Sequence, residues 1–98
     1  MTHRVEYSLQ ARRDVERLFG FLFQQDKGAA RRALTAIENG IRILELFPFN
    51  GRIAEGDNPM VRELVIPFGN AGYVALYAVR GEAITILAIR HQYEDDYL

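Results

Sequence analysis

Residues 60 to 93, MVRELVIPFGNAGYVALYAVRGEAITILAIRHQY, constrain this chain most, because three short apolar runs follow one another with few polar interruptions apart from arginines and one histidine. Leu64, Ile66 and Phe68 fall on one face of the first run. Tyr73, Ala75, Tyr77 and Val79 alternate with Val74, Leu76 and Ala78 along the second. The third, Ala83 to Arg90, is apolar on both faces and reads as a central strand. Asn70-Ala71-Gly72 and Arg80-Gly81-Glu82 supply the glycines that tight connections need. Such a pattern predicts an antiparallel β-meander with basic groups at its edges, and a meander needs something to cover an apolar face.

The cover is predicted upstream. Arg4 to Leu9 turns Val5, Tyr7 and Leu9 inward and Glu6 and Ser8 outward, a first strand, and Ser8 stands where a helix N-cap belongs. From Leu9 to Gln25, Ala11, Val15, Leu18, Phe19, Leu22 and Phe23 recur at helical spacing, with Arg12, Arg13, Glu16, Arg17 and Gln24 filling most of the remainder. Asp26-Lys27-Gly28 breaks this helix, and Asp26 caps a second from about Gly28 to Leu46, with Ala30, Ala33, Leu34, Ile37, Ile41 and Leu44 as its buried stripe. The short link makes the pair an antiparallel hairpin. Pro48 and Gly51 end it, and Asn50 to Pro59 is a polar loop. The expected fold is α+β, β-α-α-β-β-β, a helical hairpin packed on an antiparallel β-sheet, and residues 1–98 form one domain.

Two apolar residues exceed what that hairpin needs. At about 100° per residue Phe21 falls outside the Val15, Leu18, Leu22 stripe, beside Asp14 and Gln25. Ala29, Ala36 and Ile43 form a second arc on the second helix. The alanines suit contact with the first helix and the sheet, whereas Phe21 and Ile43 suggest a partner surface.

The chain has no cysteine, so thiolate metal sites and disulfides are excluded, and a metal would have to rest on His3, His91 and carboxylates. No metal and no cofactor are expected. The segment MTHRVEYSLQARRD lacks the apolar run of a signal peptide or membrane span, so a soluble, cytoplasmic protein with no membrane partner is expected. The formal net charge of −1 argues against binding nucleic acid by bulk electrostatics. Glu94, Asp95 and Asp96 make the tail acidic and the body slightly basic. Arginine supplies eleven of the twelve basic residues, Lys27 being the exception; arginine suits bidentate contact with carboxylate or phosphate, though compositional bias explains the preference as simply.

The order strand, helix, helix, meander, with LELFPFNGR, MVRELVIP, GYVALYAV and ITILAIRHQYEDDY, resembles the RelE/ParE toxins of bacterial type II toxin–antitoxin systems, and their ParE branch in particular. The elements that carry the resemblance are the P-x-x-G-R turn (Pro48, Gly51, Arg52), the R-x-L-x-I strand (Arg62, Leu64, Ile66), the Tyr73 to Tyr77 strand, and Ile86-Leu87 followed by Arg90-His91. The resemblance implies a toxin neutralised by a ParD-like antitoxin, whose disordered segment folds across the toxin and whose ribbon-helix-helix domain binds the operator. The toxin itself then needs no specific DNA contact. Phe21 and Ile43, with Arg62 as a charged contact, are the antitoxin-binding candidates.

The superfamily divides between RelE-like members, which resemble ribosome-dependent mRNA endonucleases, and ParE-like members, which resemble poisons of DNA gyrase without chemistry of their own. One lysine and the net charge weigh against docking on ribosomal RNA. No catalytic residue is therefore expected. Under the endonuclease alternative, Arg62 and Arg90 would bind the scissile phosphate, His91 would donate the proton and Tyr93 would support it, provided the meander brings Arg62 near the end of the last strand. RelE-like sites usually add a lysine pair or a glutamate before the first meander strand, where this chain reads Ala54-Glu55-Gly56-Asp57. Against those roles, His91 suits a strand-end histidine bonded to backbone or to Glu94, Arg62 suits a cross-strand or antitoxin salt bridge, and Glu94 to Asp96 suits a solvated end. Tyr73 and Tyr77 suit packing rather than base stacking. Tyr93, Tyr97 and Leu98 are the target-binding candidates, since the family's extreme C-terminus can engage the target. A second alternative is an inactive module that binds only its antitoxin in operon autoregulation.

Overall fold

Local chemistry starts and stops each helix. In the computed structural model, which describes residues 2–98, strand β1 (Arg4–Tyr7) leads into helix α1 (Leu9–Gln25). Ser8 adopts an extended backbone and its Oγ accepts from the Ala11 N–H at 3.0 Å, the predicted N-cap. Asp26 alone separates α1 from α2 (Lys27–Arg42) and serves both. Its N–H donates to Leu22 O at 2.8 Å, while its Oδ1 accepts from the Ala29 N–H at 3.0 Å. The second helix ends earlier than its periodicity suggests: Ile43–Glu45 tightens into one 3-10 turn, as the chain leaves the helical path two residues ahead of Pro48.

Strands β2 (Arg52–Ile53), β3 (Val61–Phe68), β4 (Ala71–Arg80) and β5 (Ala83–His91) complete the sheet, in the order β1-β5-β4-β3-β2. The meander β3–β5 is antiparallel as expected. In contrast to the all-antiparallel sheet expected, β1 joins β5 in parallel, with Arg4 opposite Ala83 and Tyr7 opposite Ile86. A hairpin turn forces antiparallel neighbours, but the helical hairpin and strands β2 to β4 all lie between β1 and β5, so nothing local dictates the direction of β1. The predicted central strand β5 is interior, between β1 and β4. Strand β2, two residues inside the predicted loop, is too short to show a period.

The turns need one correction. Gly69, at φ 61°, and not Gly72, makes the β3–β4 connection; Gly81, at φ 59°, makes the other as anticipated.

Helix α1 lies over β5 and α2 over β3. Their apolar stripes meet Leu64, Ile66, Tyr73, Ala75, Tyr77, Ile84, Ile86 and Ile89 in one contiguous core. Each fully buried isoleucine there contributes about 1.5–3 kcal/mol. A register shift between Leu76 and Tyr77 bulges β5 at Leu87 and interrupts the ladder. The interruption is covered from α1: Ser8 Oγ donates to Leu87 O at 2.9 Å, and Asp14 Oδ2 accepts from the Ile89 N–H at 2.8 Å. Asp14 is 1% exposed, the one buried charged side chain among the described residues. None of the described helices is long and apolar enough to cross a membrane.

Candidate functional site

Two regions at opposite ends of the sheet gather the residues singled out above. At the first, Arg62 is the second residue of β3. Its Nε donates to Pro59 O at 3.0 Å and one terminal nitrogen donates to Gly51 O at 3.1 Å, while the guanidinium sits 4.9 Å from the Phe49 ring centroid. Arg62 thus organises the loop ahead of β3, and among the described residues it takes part in no ion pair. The P-x-x-G-R turn is fixed from the same side. Tyr77, fully buried, donates its hydroxyl proton to Pro48 O at 2.8 Å and accepts from the Gly51 N–H at 2.9 Å. A Cβ on Gly51 would stand 2.5 Å from Glu63 O and 2.8 Å from the Tyr77 hydroxyl, so only glycine fits. Burial pushes the Tyr77 pKa up, partly opposed by the Gly51 bond and the Arg62 charge.

At the other end, α1, the β3–β4 hairpin and the end of β5 enclose an open, largely apolar cleft of about 560 Å³, with Leu18, Phe21, Phe68, Tyr73, His91 and Tyr93 in its walls. The predicted exposure of Phe21 and Ile43 is observed, at 69% and 48%; Phe21 stands at the cleft, and Ile43 lies in the 3-10 turn after α2. His91 meets Tyr73 edge-on, with centroids 5.5 Å apart, and Tyr93 at 5.2 Å. Its Nδ1 accepts from the Tyr93 N–H at 3.1 Å, which leaves Nε2 to carry the proton of the neutral ring. Tyr73 is buried, as expected of a packing residue, and its pKa is raised by that burial.

Glu94 is not part of a solvated end. Its Oε1 accepts from the His91 N–H at 2.8 Å and its Oε2 pairs with Arg17 at 2.9 Å. The carboxylate, one turn past a strand end and opposite a helix arginine, joins Arg17 in the cleft's lining; Asp95 and Asp96 are the exposed members of the run.

Of the four residues of the endonuclease alternative, only His91 and Tyr93 stay together. His91 lies opposite Tyr73, and Tyr73 opposite Ile66, four residues along β3 from Arg62. That is about 13 Å along the strand and about 10 Å across the sheet. Arg90, next to His91 on an extended strand, points to the opposite face. There it donates to Glu94 O at 2.8 Å and lies 5.3 Å from the Tyr97 ring centroid. Tyr93 is 76% exposed and accompanies only His91. Tyr97 donates to Glu63 Oε2 at 2.5 Å; its pKa is strongly raised, first by desolvation and then by that bond. Leu98 is 68% exposed.

Asp14 and Glu63 were not singled out from the sequence. Asp14 falls three residues after Ala11 and four before Leu18, on the buried stripe, and Glu63 alternates with Leu64, so periodicity places both. What each one bonds depends on partners 75 and 34 residues away.

A helical hairpin laid over an antiparallel meander, with the first strand returning in parallel at one edge, defines the RelE/ParE-like α+β architecture. A solved chain of the chromosomal ParDE TA system from P. aeruginosa shares this fold, with a TM-score of 0.74 at 20% identity over 92% of this chain and 96% of that one. By sequence, the chain is similar to Toxin RelE1 of Caulobacter vibrioides, 35% identical over 96% of this chain and 98% of that protein. It is also similar to Toxin RelE3 of the same organism, 33% identical over 92% and 95%. Residues 5–96 match the family described as ParE toxin of type II toxin-antitoxin system, parDE. The chain belongs to the ParE toxin family.

Proposed function

We propose that this chain is a toxin that inhibits DNA gyrase by binding, with no bond chemistry of its own, and that a ParD-like antitoxin of the ribbon-helix-helix family neutralises it. The observation that carries the non-catalytic reading is the dispersal of Arg62, Arg90 and His91. A phosphoryl-transfer site needs its cations and its acid–base group around one phosphate. Here Arg62 is bound to backbone carbonyls at one end of the sheet, His91 faces the cleft at the other, and Arg90 is on the reverse face.

Antitoxin binding is assigned to the cleft beside Phe21 and to Ile43. A disordered segment folding onto the toxin gains most from concave apolar surface with exposed aromatic anchors. Arg62 is engaged by its own loop and takes a scaffolding part. Target contacts are assigned to the tail, through Tyr93, Tyr97 and Leu98.

The test adds the purified, antitoxin-free chain to gyrase with relaxed plasmid and ATP, and in parallel to translating ribosomes with a defined message. Lost supercoiling or accumulated cleaved plasmid, with intact message, is expected. Codon-phased cuts with normal supercoiling would establish the second reading, an mRNA endonuclease. One feature favours that reading: His91 faces the open cleft flanked by two tyrosines. His91→Ala would then cost roughly two to four orders of magnitude in cleavage, whereas a gyrase poison should barely change.

A further inference from the structure

The chain's own C-terminus packs on part of the helix-free face of the sheet, while Val65 on the same face stays 43% exposed. Alternation from the core residues Leu64, Tyr73, Ala75 and Ile89 puts Glu63, Val74, Ala88 and Arg90 on that face. Val74 and Ala88 are nonetheless 2% and 6% exposed. Two polar side chains bind the tail there. Glu63 Oε2 accepts from the Tyr97 hydroxyl, and Arg90 lies against the Tyr97 ring. The same Arg90 donates to Glu94 O, so one guanidinium holds both the root and the tip of the tail. The other oxygen of Glu63 accepts from Arg52 Nε at 3.3 Å, on the two-residue strand β2. One carboxylate therefore joins the loop that carries the P-x-x-G-R turn to the C-terminus.

We propose that Glu63 is a positioning residue that fastens the end of the chain, residues 95–98, across the helix-free face, so that Leu98 is presented from an ordered strap and Tyr93 from its root. A free tail would lose its conformational entropy at the moment of binding, whereas a fastened one has lost it on folding. A phenol on a carboxylate is a charge-assisted bond, stronger than a neutral one. A phenol is protonated at neutral pH in any case, and the raised pKa of Tyr97 extends its role as donor to higher pH. The functional half of the proposal rests on the reading of the tail as the target-binding segment; the fastening stands on geometry alone.

The experiment uses the full chain with Glu63→Ala, Glu63→Gln and Tyr97→Phe, and reads carboxypeptidase trimming of the C-terminus together with amide hydrogen exchange. Glu63→Ala and Tyr97→Phe should speed trimming about tenfold, the factor that losing one such bond implies for local opening. Exchange should rise in residues 95–98 while β4 and β5 keep their protection. Glu63→Gln, which retains an acceptor oxygen, should restore most of the parent rate. Parent-like trimming in both Glu63→Ala and Tyr97→Phe overturns the proposal, and so does a rise in exchange spread over the whole sheet, which would mark Glu63 as merely structural. The two Glu63 variants, which alter no residue assigned to the target contact, are then titrated against gyrase. Weaker inhibition in step with trimming supports the functional half; faster trimming with unchanged inhibition overturns that half and leaves the fastening established.

Discussion

Beneath the helices the sheet is sealed by hydrocarbon and one buried carboxylate, Asp14, which binds the Ile89 N–H at the β5 bulge; the reverse side is covered only in part, by the chain's own tail held through Glu63, Arg90 and Tyr97. Both faces use an acid to hold a distant segment, yet the consequences differ. Asp14 is 1% exposed and its loss leaves an amide without a partner inside the core. The Glu63 side chain is 16% exposed, and the segment it holds can be replaced by water. The first face is therefore where stability resides, and the second where a segment can be held without committing the fold.

The largest effect that would break this comparison belongs to Asp14→Ala. It removes the acceptor for Ile89 N–H and for Gln10 Nε2, and should destabilise the chain by about 3 kcal/mol in urea unfolding. A change below about 1 kcal/mol would mean that the bulge finds another partner. Gly51→Ala comes next. The added methyl meets backbone at 2.5 Å, which flexible side chains cannot relieve, so a loss of about 2 kcal/mol is expected. Tyr77→Phe keeps the ring in the core but leaves Pro48 O and Gly51 N–H without the hydroxyl. It should cost about 1–2 kcal/mol, with amide exchange rising first in residues 47–53.

Phe21→Ala sharpens the contrast from outside the core. At 69% exposure its stability effect should fall within about 0.5 kcal/mol. Antitoxin affinity, measured by calorimetry, should nevertheless fall by about 2 kcal/mol if Phe21 anchors the partner. Unchanged affinity would move that interface away from the cleft.

The smallest effect is set by pH. Tyr7, Tyr73, Tyr77 and Tyr97 all have folded-state pKa values above the ordinary 10.0, with desolvation the first cause in each. A raised pKa means that folding favours the protonated phenol. This stability is present below the unfolded-state pKa and is lost as pH rises beyond it. Urea midpoints should therefore hold to about pH 9 and decline above about pH 10, less steeply in Tyr97→Phe. A flat profile would show that these phenols ionise without disturbing the fold.

Much of the fold was legible because it rests on local rules. Ser8 and Asp26 cap the helices because short polar side chains beside an apolar period satisfy free amides, and Tyr73 and Tyr77 are buried because strand alternation puts them with Ala75 and Val79. Phe21 and Ile43 proved exposed for the same kind of reason. Less of the candidate site was legible. Sequence alone allowed Arg62 to approach His91; the register sets them at opposite ends of the sheet. Nor did it show that Glu94 binds Arg17, or that Tyr97 reaches Glu63.

Periods of 3.6 and 2 and the chemistry of chain turns act over a few residues, so the two helices, the meander, their caps and the surplus apolar residues can be read from the chain one stretch at a time. The parallel pairing of β1 with β5, the cleft beside Phe21 and the parting of Arg62, His91 and Arg90 belong to the folded whole. Strand order, register and the face on which a tail lies are fixed by contacts between residues far apart in the chain, and those contacts exist only once the whole core has closed.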